Sequence, residues 1–372
     1  MKPIRLLIAD DSGFMRIAVR KMVASDPEIQ VVGEARNGVA AVNMARELKP
    51  DVITMDVEMP DLDGVSATRM IMAERATPVI MLSSLTQKGA KVTLEALEAG
   101  AVDFISKSSS FVQLDIVQVD RELREKIRYW GRRPLLSMGA WAGLAPSSAS
   151  VSASSAASAA VASLFNTSSA SAATPRARVA KAPRSVDLVV VGVSTGGPKT
   201  FPGLLKACGP LRCPMVVAQH MPPYYTASFA EHLKEETGLD VREGEDGMVL
   251  TPGLVAIIPG GKDGLVGYGI GGHKLLNVRV VPDAPIHPNA DVLFESALRV
   301  TESPVAVVLT GMGNDGTRGC RRFTDRDLPV LVQTPASCVI GGMPQAVIDG
   351  GLASFVLSID DIGAKLREWC NR

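Results

Sequence analysis

The sequence predicts an α/β protein of two domains, with five βα units first and then a doubly wound, mostly parallel α/β domain. Three observations support this. Short apolar runs alternate with helical patterns in both halves of the chain, and a low-complexity segment separates the halves. A length of 372 residues is also too great for one ordinary core. We place the first domain at residues 1–130, a linker at 131–184 and the second domain at 185–372.

The first domain shows a regular alternation of predicted strands and helices. Its strands are short and mostly apolar, as expected for strands that are covered on both faces of a parallel sheet. The predicted elements, each strand followed by its helix, are Ile4–Ala9 and Gly13–Ala24, Gln30–Ala35 and Val39–Leu48, Val52–Met55 and Val65–Ala73, Val79–Leu82 and Lys88–Ala99, and Val102–Ser106 and Val112–Tyr129.

The segment between the domains has a different composition. From Ser147 to Ala173 the chain is roughly three quarters serine and alanine, a composition that cannot supply a packed core. We therefore expect a flexible tether. The α/β alternation then resumes, with helical stretches such as Phe229–Thr237 and Val292–Val300. The predicted strands of the second domain are Leu188–Val191, Met215–Ala218, Leu254–Ile258, Val305–Leu309 and Val330–Gln333.

The bulk composition restricts the partners and the compartment. The 39 basic and 39 acidic residues balance, so net charge gives no reason to expect nucleic acid or an anionic membrane as partner. The five cysteines show no C-x-x-C spacing, which favours free thiols in a reducing compartment. No segment is long and apolar enough for membrane insertion. We expect a cytoplasmic protein.

Acidic residues follow the strands of the first domain at their carboxyl ends, where open α/β sheets bind ligands. Asp10 and Asp11 follow the first strand, and Asp56 follows the third. Carboxylates that converge on one rim repel each other unless a cation lies between them, and an all-oxygen ligand set suits Mg²⁺. Ser83 and Lys107 follow the fourth and fifth strands, where they can hold phosphoryl oxygens. The pattern predicts phosphoryl transfer to Asp56.

A simpler interpretation of these residues is helix capping and surface exposure. Asp11 and Ser12 would then cap a helix, Asp56 would cap the next turn, and Lys107 would lie at the surface, since Asp and Ser are common in such places. The coincidence of polar residues at four strand ends favours the phosphoryl site.

Residues 1–130 resemble the response-regulator receiver family in the acidic pair Asp10-Asp11, the run Met55–Pro60, Ser83 and Lys107. The resemblance implies that a partner histidine kinase phosphorylates Asp56 and that Phe104 is the switch aromatic. It also implies a Mg²⁺ site formed by Asp10, Asp11, Asp56 and Glu58. One position departs from the family, because Ser108 stands where a proline usually follows the lysine.

A second constellation centres on a serine. Gly192–Gly196 matches the G-x-S-x-G pattern after a predicted strand and should place Ser194 on a tight, exposed turn. A serine hydroxyl needs a base within hydrogen-bond reach, and that base needs an orienting group. His220 follows the apolar run Met215–Ala218, and Asp315 lies in the glycine-rich segment after Val305–Leu309. These three residues are predicted to converge at the carboxyl ends of the strands.

Other interpretations of these residues exist. A glycine-rich turn can bind phosphate at a helix N-terminus, although Lys199 follows Pro198 and does not occupy the P-loop position. A lone histidine at a strand end is more often structural, and Asp315 could be only a turn residue. The chain order Ser, His, Asp also differs from that of the α/β-hydrolases, which disfavours an ordinary lipase or esterase.

The two domains together resemble the chemotaxis protein-glutamate methylesterase family, in which a receiver is joined to a catalytic domain. The resemblance implies that Ser194 is the nucleophile, His220 the general base and then acid, and Asp315 the orienting carboxylate. It also implies that the backbone N–H groups of Thr195 and Met312 are the oxyanion donors. The motifs that carry it are Gly192–Pro198, Gln219–Pro223, Pro259-Gly260-Gly261, Asp291–Phe294, Thr310–Gly316 and Gly342-Met343-Pro344.

The activity implied is hydrolysis of γ-glutamyl methyl esters on chemoreceptor helices, with release of methanol, and deamidation of certain receptor glutamines. Methylated chemoreceptors would be the substrates, and the receiver would block the catalytic rim until phosphorylation. The catalytic domain should need no cofactor, because it has no His/Cys cluster spaced for zinc. The loop at 282–289 departs from the family pattern, which concerns the choice of receptor.

Two functions of other classes remain as alternatives. The second domain could be a non-enzymatic, phospho-regulated binding module in which the three residues are structural. A transcription factor is disfavoured, because nothing after the first domain is typical of a basic recognition helix.

Overall fold

The computed structural model describes residues 2–84, 86–107, 116–132, 183 and 185–372. Most of the predicted linker, Ser108 and the start of the helix predicted from Val112 lie outside the described residues. The α/β class predicted for both domains is confirmed, and the domain boundaries stay a prediction.

The first domain is a five-stranded parallel sheet with strand order β2-β1-β3-β4-β5. Its strands carry apolar side chains on both faces, so the sheet is buried between two layers of helices. The elements, in chain order, are β1 (Ile4–Ala9), α1 (Gly13–Ala24), β2 (Ile29–Ala35), α2 (Gly38–Leu48), β3 (Val52–Asp56), α3 (Gly64–Glu74), β4 (Val79–Ser84), α4 (Gln87–Glu98), β5 (Asp103–Lys107) and α5 (Ile116–Gly131).

Polar caps fix where these helices begin. The side chains of Ser12, Asn37, Asp63 and Thr86 each accept a hydrogen bond from a backbone N–H of the first turn, satisfying a donor that the helix itself leaves unpaired. Asp11 is therefore not a cap. Its carboxylate remains available at the rim of the sheet.

The second domain is built on a seven-stranded parallel sheet with order β15-β14-β13-β6-β7-β10-β8. The strands β13, β6 and β7 are neighbours at its centre, so their carboxyl ends meet at one rim. The elements are β6 (Leu188–Val193), α6 (Gly197–Cys208), β7 (Met215–Gln219), α7 (Tyr225–Thr237), β8 (Val241–Glu243), β9 (Met248–Val249), β10 (Val255–Ile257), β11 (Asp263–Tyr268), β12 (Lys274–Arg279), α8 (Ala290–Ala297), β13 (Pro304–Val308), α9 (Thr317–Thr324), β14 (Val330–Gln333), α10 (Gly342–Asp349), β15 (Phe355–Leu357) and α11 (Ile359–Cys370).

A small antiparallel sheet, with order β11-β12-β9, was not foreseen from the sequence. Its strands mix apolar and exposed positions and lie near several glycines, so they lack the continuous apolar run that marks the central strands. The sheet packs on α8, where the Ser296 hydroxyl accepts a hydrogen bond from Val266 N at 2.9 Å.

Apolar packing continues from the first domain into the second. The ring of Phe104, at β5, stacks on the ring of Tyr225, at the start of α7, with centroids 4.9 Å apart and planes inclined by 7°. Tyr225 donates a hydrogen bond from its hydroxyl to the carbonyl of Ser84 at 3.2 Å, and Tyr129 donates to the carbonyl of Val339 at 2.8 Å. The carboxyl end of β4 and the start of β5 therefore lie against the second domain.

Across the residues that the structure describes, we find no helix with the length and apolar character needed to cross a bilayer.

Candidate active site

Ser194 lies on a tight turn between β6 and α6, as the motif predicted, but the prediction that it is exposed was wrong, because Ser194 is buried at 9% exposure in a cavity whose other wall comes from the first domain. Its backbone N–H donates to the carbonyl of Thr310 at 3.0 Å, and its own carbonyl accepts from Gly197 N at 2.9 Å and from Gln219 Nε2 at 3.0 Å. Gly196 has φ of 86°, a left-handed conformation that glycine adopts without strain. A Cβ on Gly197 would lie only 1.9 Å from Gln219 Oε1. Positions 196 and 197 thus both require glycine.

His220 and Asp315 form a close pair beside this turn. His220 Nε2 lies 2.8 Å from Asp315 Oδ2, and the backbone N–H of His220 donates to the carbonyl of Val193 at 2.9 Å. Because Nε2 is taken by the carboxylate, Nδ1 is the ring nitrogen left for proton exchange with a hydroxyl. The pair has the composition of a base and its orienting group.

Asp315 is held as an anion. Burial by itself would raise the pKa of Asp315, but the contact with His220 and the backbone hydrogen bonds keep that pKa below its usual value. Oδ2 accepts from Ala290 N at 2.7 Å, and Oδ1 accepts from Asp291 N at 3.1 Å and Gly316 N at 2.9 Å. The two N–H groups at the start of α8 suit a negative charge. An anionic Asp315 holds the proton of His220 on Nε2.

Thr195 and Met312, the residues predicted to supply oxyanion donors, flank the same turn. Met312 lines the cavity that contains Ser194 and His220, and so does Thr195. Within the described part of the chain, no hydrogen-bond acceptor faces the backbone N–H of either residue. Two such N–H groups beside a nucleophile can stabilise a developing oxyanion.

The cavity over Ser194 has a volume of about 580 Å³ and is closed on one side by the first domain. Side chains of the second domain line it around Ser194, His220 and Asp315. The opposite wall comes from β5 and α5, and includes Phe104, Glu122 and Glu125. The first domain therefore stands over the serine.

The acidic residues of the first domain also converge. Carboxylate oxygens of Asp10, Asp11 and Asp56 lie within 4.8 Å of one another, and an all-oxygen donor set of this kind fits Mg²⁺. Lys107 Nζ lies 2.7 Å from Asp56 Oδ1 and 2.8 Å from Asp10 Oδ2. Burial, opposed by Lys107, raises the pKa of Asp56 to about 6. Glu58, the fourth predicted ligand, directs its carboxylate to Lys88 at 3.2 Å and is not in this group.

Ser83 is fully buried beside this acidic group. Its hydroxyl donates to the carbonyl of Gly89 at 3.2 Å and accepts from the Thr93 hydroxyl at 2.6 Å. In this state Ser83 is therefore bound to α4 rather than directed to a phosphoryl group. Phe104, the predicted switch aromatic, is 9% exposed because Tyr225 covers it.

Several residues of the site escaped sequence reasoning. Gln219 holds the serine turn, a role that its place in the Gln219–Pro223 motif did not indicate. Asp263 is buried and pairs with His287 at 2.6 Å beside the cavity, a pairing of residues far apart in the chain that no short motif announces. Lys199 also lines the cavity. Its place two residues after Gly197 was noted only as a departure from the P-loop.

Known proteins resemble both parts of the chain. The family model described as CheB methylesterase matches residues 189–366, and the model described as response regulator receiver domain matches residues 6–117. A protein-glutamate methylesterase/protein-glutamine glutaminase 1 of Oleidesulfovibrio alaskensis is 42% identical over 363 residues, which cover 96% of this chain and 97% of that protein. A protein-glutamate methylesterase/protein-glutamine glutaminase 3 of Pseudomonas syringae pv. syringae is 41% identical over 391 residues, covering 99% of each.

A solved structure matches the second domain. The crystal structure of the Thermotoga maritima CheB methylesterase catalytic domain is 35% identical, covers 50% of this chain and 98% of that one, and gives a TM-score of 0.46.

Proposed function

Because the chain belongs to the CheB methylesterase family, we propose that it hydrolyses γ-methyl esters of glutamate side chains on chemoreceptors, releasing methanol. The same site would deamidate certain receptor glutamines to glutamate. The observation that carries the proposal is the pairing of His220 with an anionic Asp315 at 2.8 Å in the cavity that contains Ser194. Relatives that share nearly the whole chain carry both activities in their names.

The reaction follows from the geometry in two halves. Nδ1 of His220 accepts the proton of Ser194 Oγ as the oxygen attacks the ester carbonyl, and the N–H groups of Thr195 and Met312 stabilise the oxyanion. When the tetrahedral intermediate collapses, the C–O bond to the methoxy group breaks and His220 donates its proton to the departing methoxy oxygen, which leaves as methanol. With glutamine the C–N bond breaks and ammonia leaves. Water, activated by the same imidazole, then releases the glutamate carboxylate from Ser194.

Asp315 acts throughout through His220. It fixes the tautomer that leaves Nδ1 as a proton acceptor, and its negative charge stabilises the imidazolium after proton transfer. The backbone donors from α8 prevent it from taking the proton itself, since they favour the carboxylate form.

Phosphorylation of Asp56 by a chemotaxis histidine kinase would control access to this site. Asp10, Asp11 and Asp56 would hold Mg²⁺, which would neutralise charge on the phosphoryl group during transfer. Lys107 lies where it can bind a phosphoryl oxygen on Asp56. Only the carboxylate form of Asp56 can act as nucleophile, so a cation at this site also serves to keep it ionised.

The contacts between the domains support this control. Ser84, at the carboxyl end of β4, and Phe104, the second residue of β5, both contact Tyr225. Tyr225 N in turn donates to the carbonyl of Pro222, which lies in the cavity wall two residues after His220. A phosphoryl group that draws Ser83 and Phe104 toward Asp56 would break the stack and free the first domain from the cavity. This proposal places the enzyme with its kinase and receptors on the cytoplasmic side.

The test is methanol release from methylated receptor membranes, with and without a small-molecule phosphodonor. A phosphodonor should raise the rate, and Ser194→Ala should abolish release in both conditions. Release by Ser194→Ala within tenfold of the wild-type rate would contradict the assigned nucleophile. A rate that the phosphodonor leaves unchanged in the wild type, while Asp56 is shown to be phosphorylated, would contradict the control by the first domain.

A further inference from the structure

Lys199 is the feature of the active-site cavity that the proposed reaction leaves without a role. It is the third residue of α6, on the turn that follows Ser194, and it lines the cavity together with Ser194 and His220. Among the described residues of the second domain that line this cavity, it is the one lysine or arginine.

The position is unfavourable for a lysine on two counts. The first turn of a helix carries the positive end of the helix dipole, which disfavours a cation. The side chain is also half-buried, and this burial lowers the pKa of Lys199 to about 8, while the Asp103 carboxylate acts in the opposite direction. A cation kept at the positive end of a helix, next to a nucleophile, suggests that negative charge is bound there.

The first domain supplies such charge in the structure. Asp103, Glu122 and Glu125 line the cavity wall that faces Lys199. Part of their charge is balanced by Lys126, which lies 2.9 Å from both Asp103 Oδ1 and Glu122 Oε1, and Arg121 also lies in this wall. Glu122 and Glu125 stand on one face of a helix, three residues apart. A helix bearing carboxylates is thus held over the serine.

The substrate of the proposed reaction is also a helix that bears carboxylates. Its esters lie on helices, and each completed hydrolysis or deamidation leaves a free glutamate carboxylate. A carboxylate three or four residues from the ester is on the same helix face, with Cβ atoms roughly 5–6 Å apart. With the ester carbonyl at Ser194, that carboxylate would be within reach of a lysine five residues further along the chain.

We propose that Lys199 binds a free carboxylate of the substrate helix that neighbours the ester under attack, and that acidic residues of the first domain face Lys199 until that domain moves away. The inference rests on the proposed function and extends it to the substrate. The preferred substrate is a helix that carries a glutamate beside the methyl ester, so removal of one ester favours attack on its neighbour.

The experiment uses the full-length protein, activated by a phosphodonor, and three helical peptides with one glutamate γ-methyl ester each. The residues three and four positions from the ester are glutamate in the first peptide, glutamine in the second and lysine in the third. Lys199→Gln should lower kcat/KM about tenfold on the glutamate peptide, mainly through KM, and less than twofold on the glutamine peptide. Lys199→Glu should reverse the order and hydrolyse the lysine peptide best.

The matched control is Lys206→Gln, on the same helix, where the lysine is exposed and pairs with Glu236 at 2.7 Å. It should leave all three rates at the wild-type level. Equal losses by Lys199→Gln on all peptides would show a structural role and overturn the proposal, as would unchanged rates on all of them. Ser194→Ala tests the reaction separately, because turnover that survives it contradicts ester hydrolysis at this serine and not the role of Lys199.

Discussion

Asp315→Asn tests the central pair of the active site, because the four groups around this carboxylate leave no place for an amide. His220 Nε2 and Ala290 N are within 2.8 Å of Oδ2, and Asp291 N and Gly316 N are within 3.1 Å of Oδ1. The three backbone groups can only donate. The NH₂ group of an asparagine would therefore face either the two groups now at Oδ2 or the two groups now at Oδ1.

The two orientations differ in cost. With NH₂ in place of Oδ1, two buried backbone N–H groups lose their acceptor, at about 1–3 kcal/mol each. With NH₂ in place of Oδ2, only Ala290 N–H loses its acceptor, because His220 can change its tautomer and accept at Nε2. The second orientation is cheaper. It places a proton on Nδ1, however, so His220 can no longer accept the proton of Ser194.

The expected result is a large loss of rate with a small loss of stability. We expect kcat for methanol release to fall about 10⁴-fold, as in other triads with the wrong tautomer. A loss of about 1–3 kcal/mol should lower the melting temperature of the second domain by between about 2 and 12 °C. Asp325→Asn, at an exposed position, is the control and should leave both values unchanged. A rate within tenfold of wild type, at an unchanged melting temperature, would refute this account of Asp315.

Three further predictions follow from other contacts. Gly197→Ala should displace Gln219 and reduce methanol release at least tenfold, because the added Cβ would lie 1.9 Å from Gln219 Oε1. The control is Gly203→Ala on the same helix, where the nearest atom to an added Cβ is 3.6 Å away. This variant should retain full activity. Phe104→Ala removes the stack on Tyr225 and should raise methanol release without a phosphodonor severalfold, whereas an unchanged basal rate would argue against control through this contact. Burial raises the pKa of Asp56 to about 6, so the Asp56 carboxyl binds a proton more tightly in the folded protein than in the unfolded chain. In chelator, thermal melts should therefore show stability falling by up to about 3 kcal/mol between about pH 4 and pH 6, and Asp56→Asn should flatten that fall.

The central strands could be read from the sequence because they are buried on both faces. Predicted and observed strands agree at Ile4–Ala9 and Val330–Gln333, and the strand predicted from Leu188 extends two residues further, to Val193. The same pattern predicted which residues meet at the rim, because the carboxyl ends of parallel strands all lie at one edge of the sheet. Polar residues after such strands had few other places to lie.

The antiparallel sheet and the wall of the cavity could not be predicted in this way. The strands β9, β11 and β12 have mixed burial and short lengths, so their hydrophobic period is weak. The pair formed by Asp263 and His287 depends on how the loop after β12 returns to the sheet. Residues of this kind acquire their meaning from tertiary packing, and no spacing in the chain encodes them.

The role proposed for Lys199 could not be predicted from the sequence either, because it also depends on tertiary packing. By sequence it is one lysine on an amphipathic helix, indistinguishable from Lys206, which pairs with Glu236 at the surface. The first domain covers the cavity that Lys199 lines, and that cover brings Asp103 close enough to act on its charge. When the cover leaves, Lys199 gains solvent and loses its acidic neighbours in one movement. In the proposal, the step that opens the serine to a substrate therefore also frees the Lys199 ammonium for an acidic substrate, which couples release of the first domain to recognition of the receptor helix.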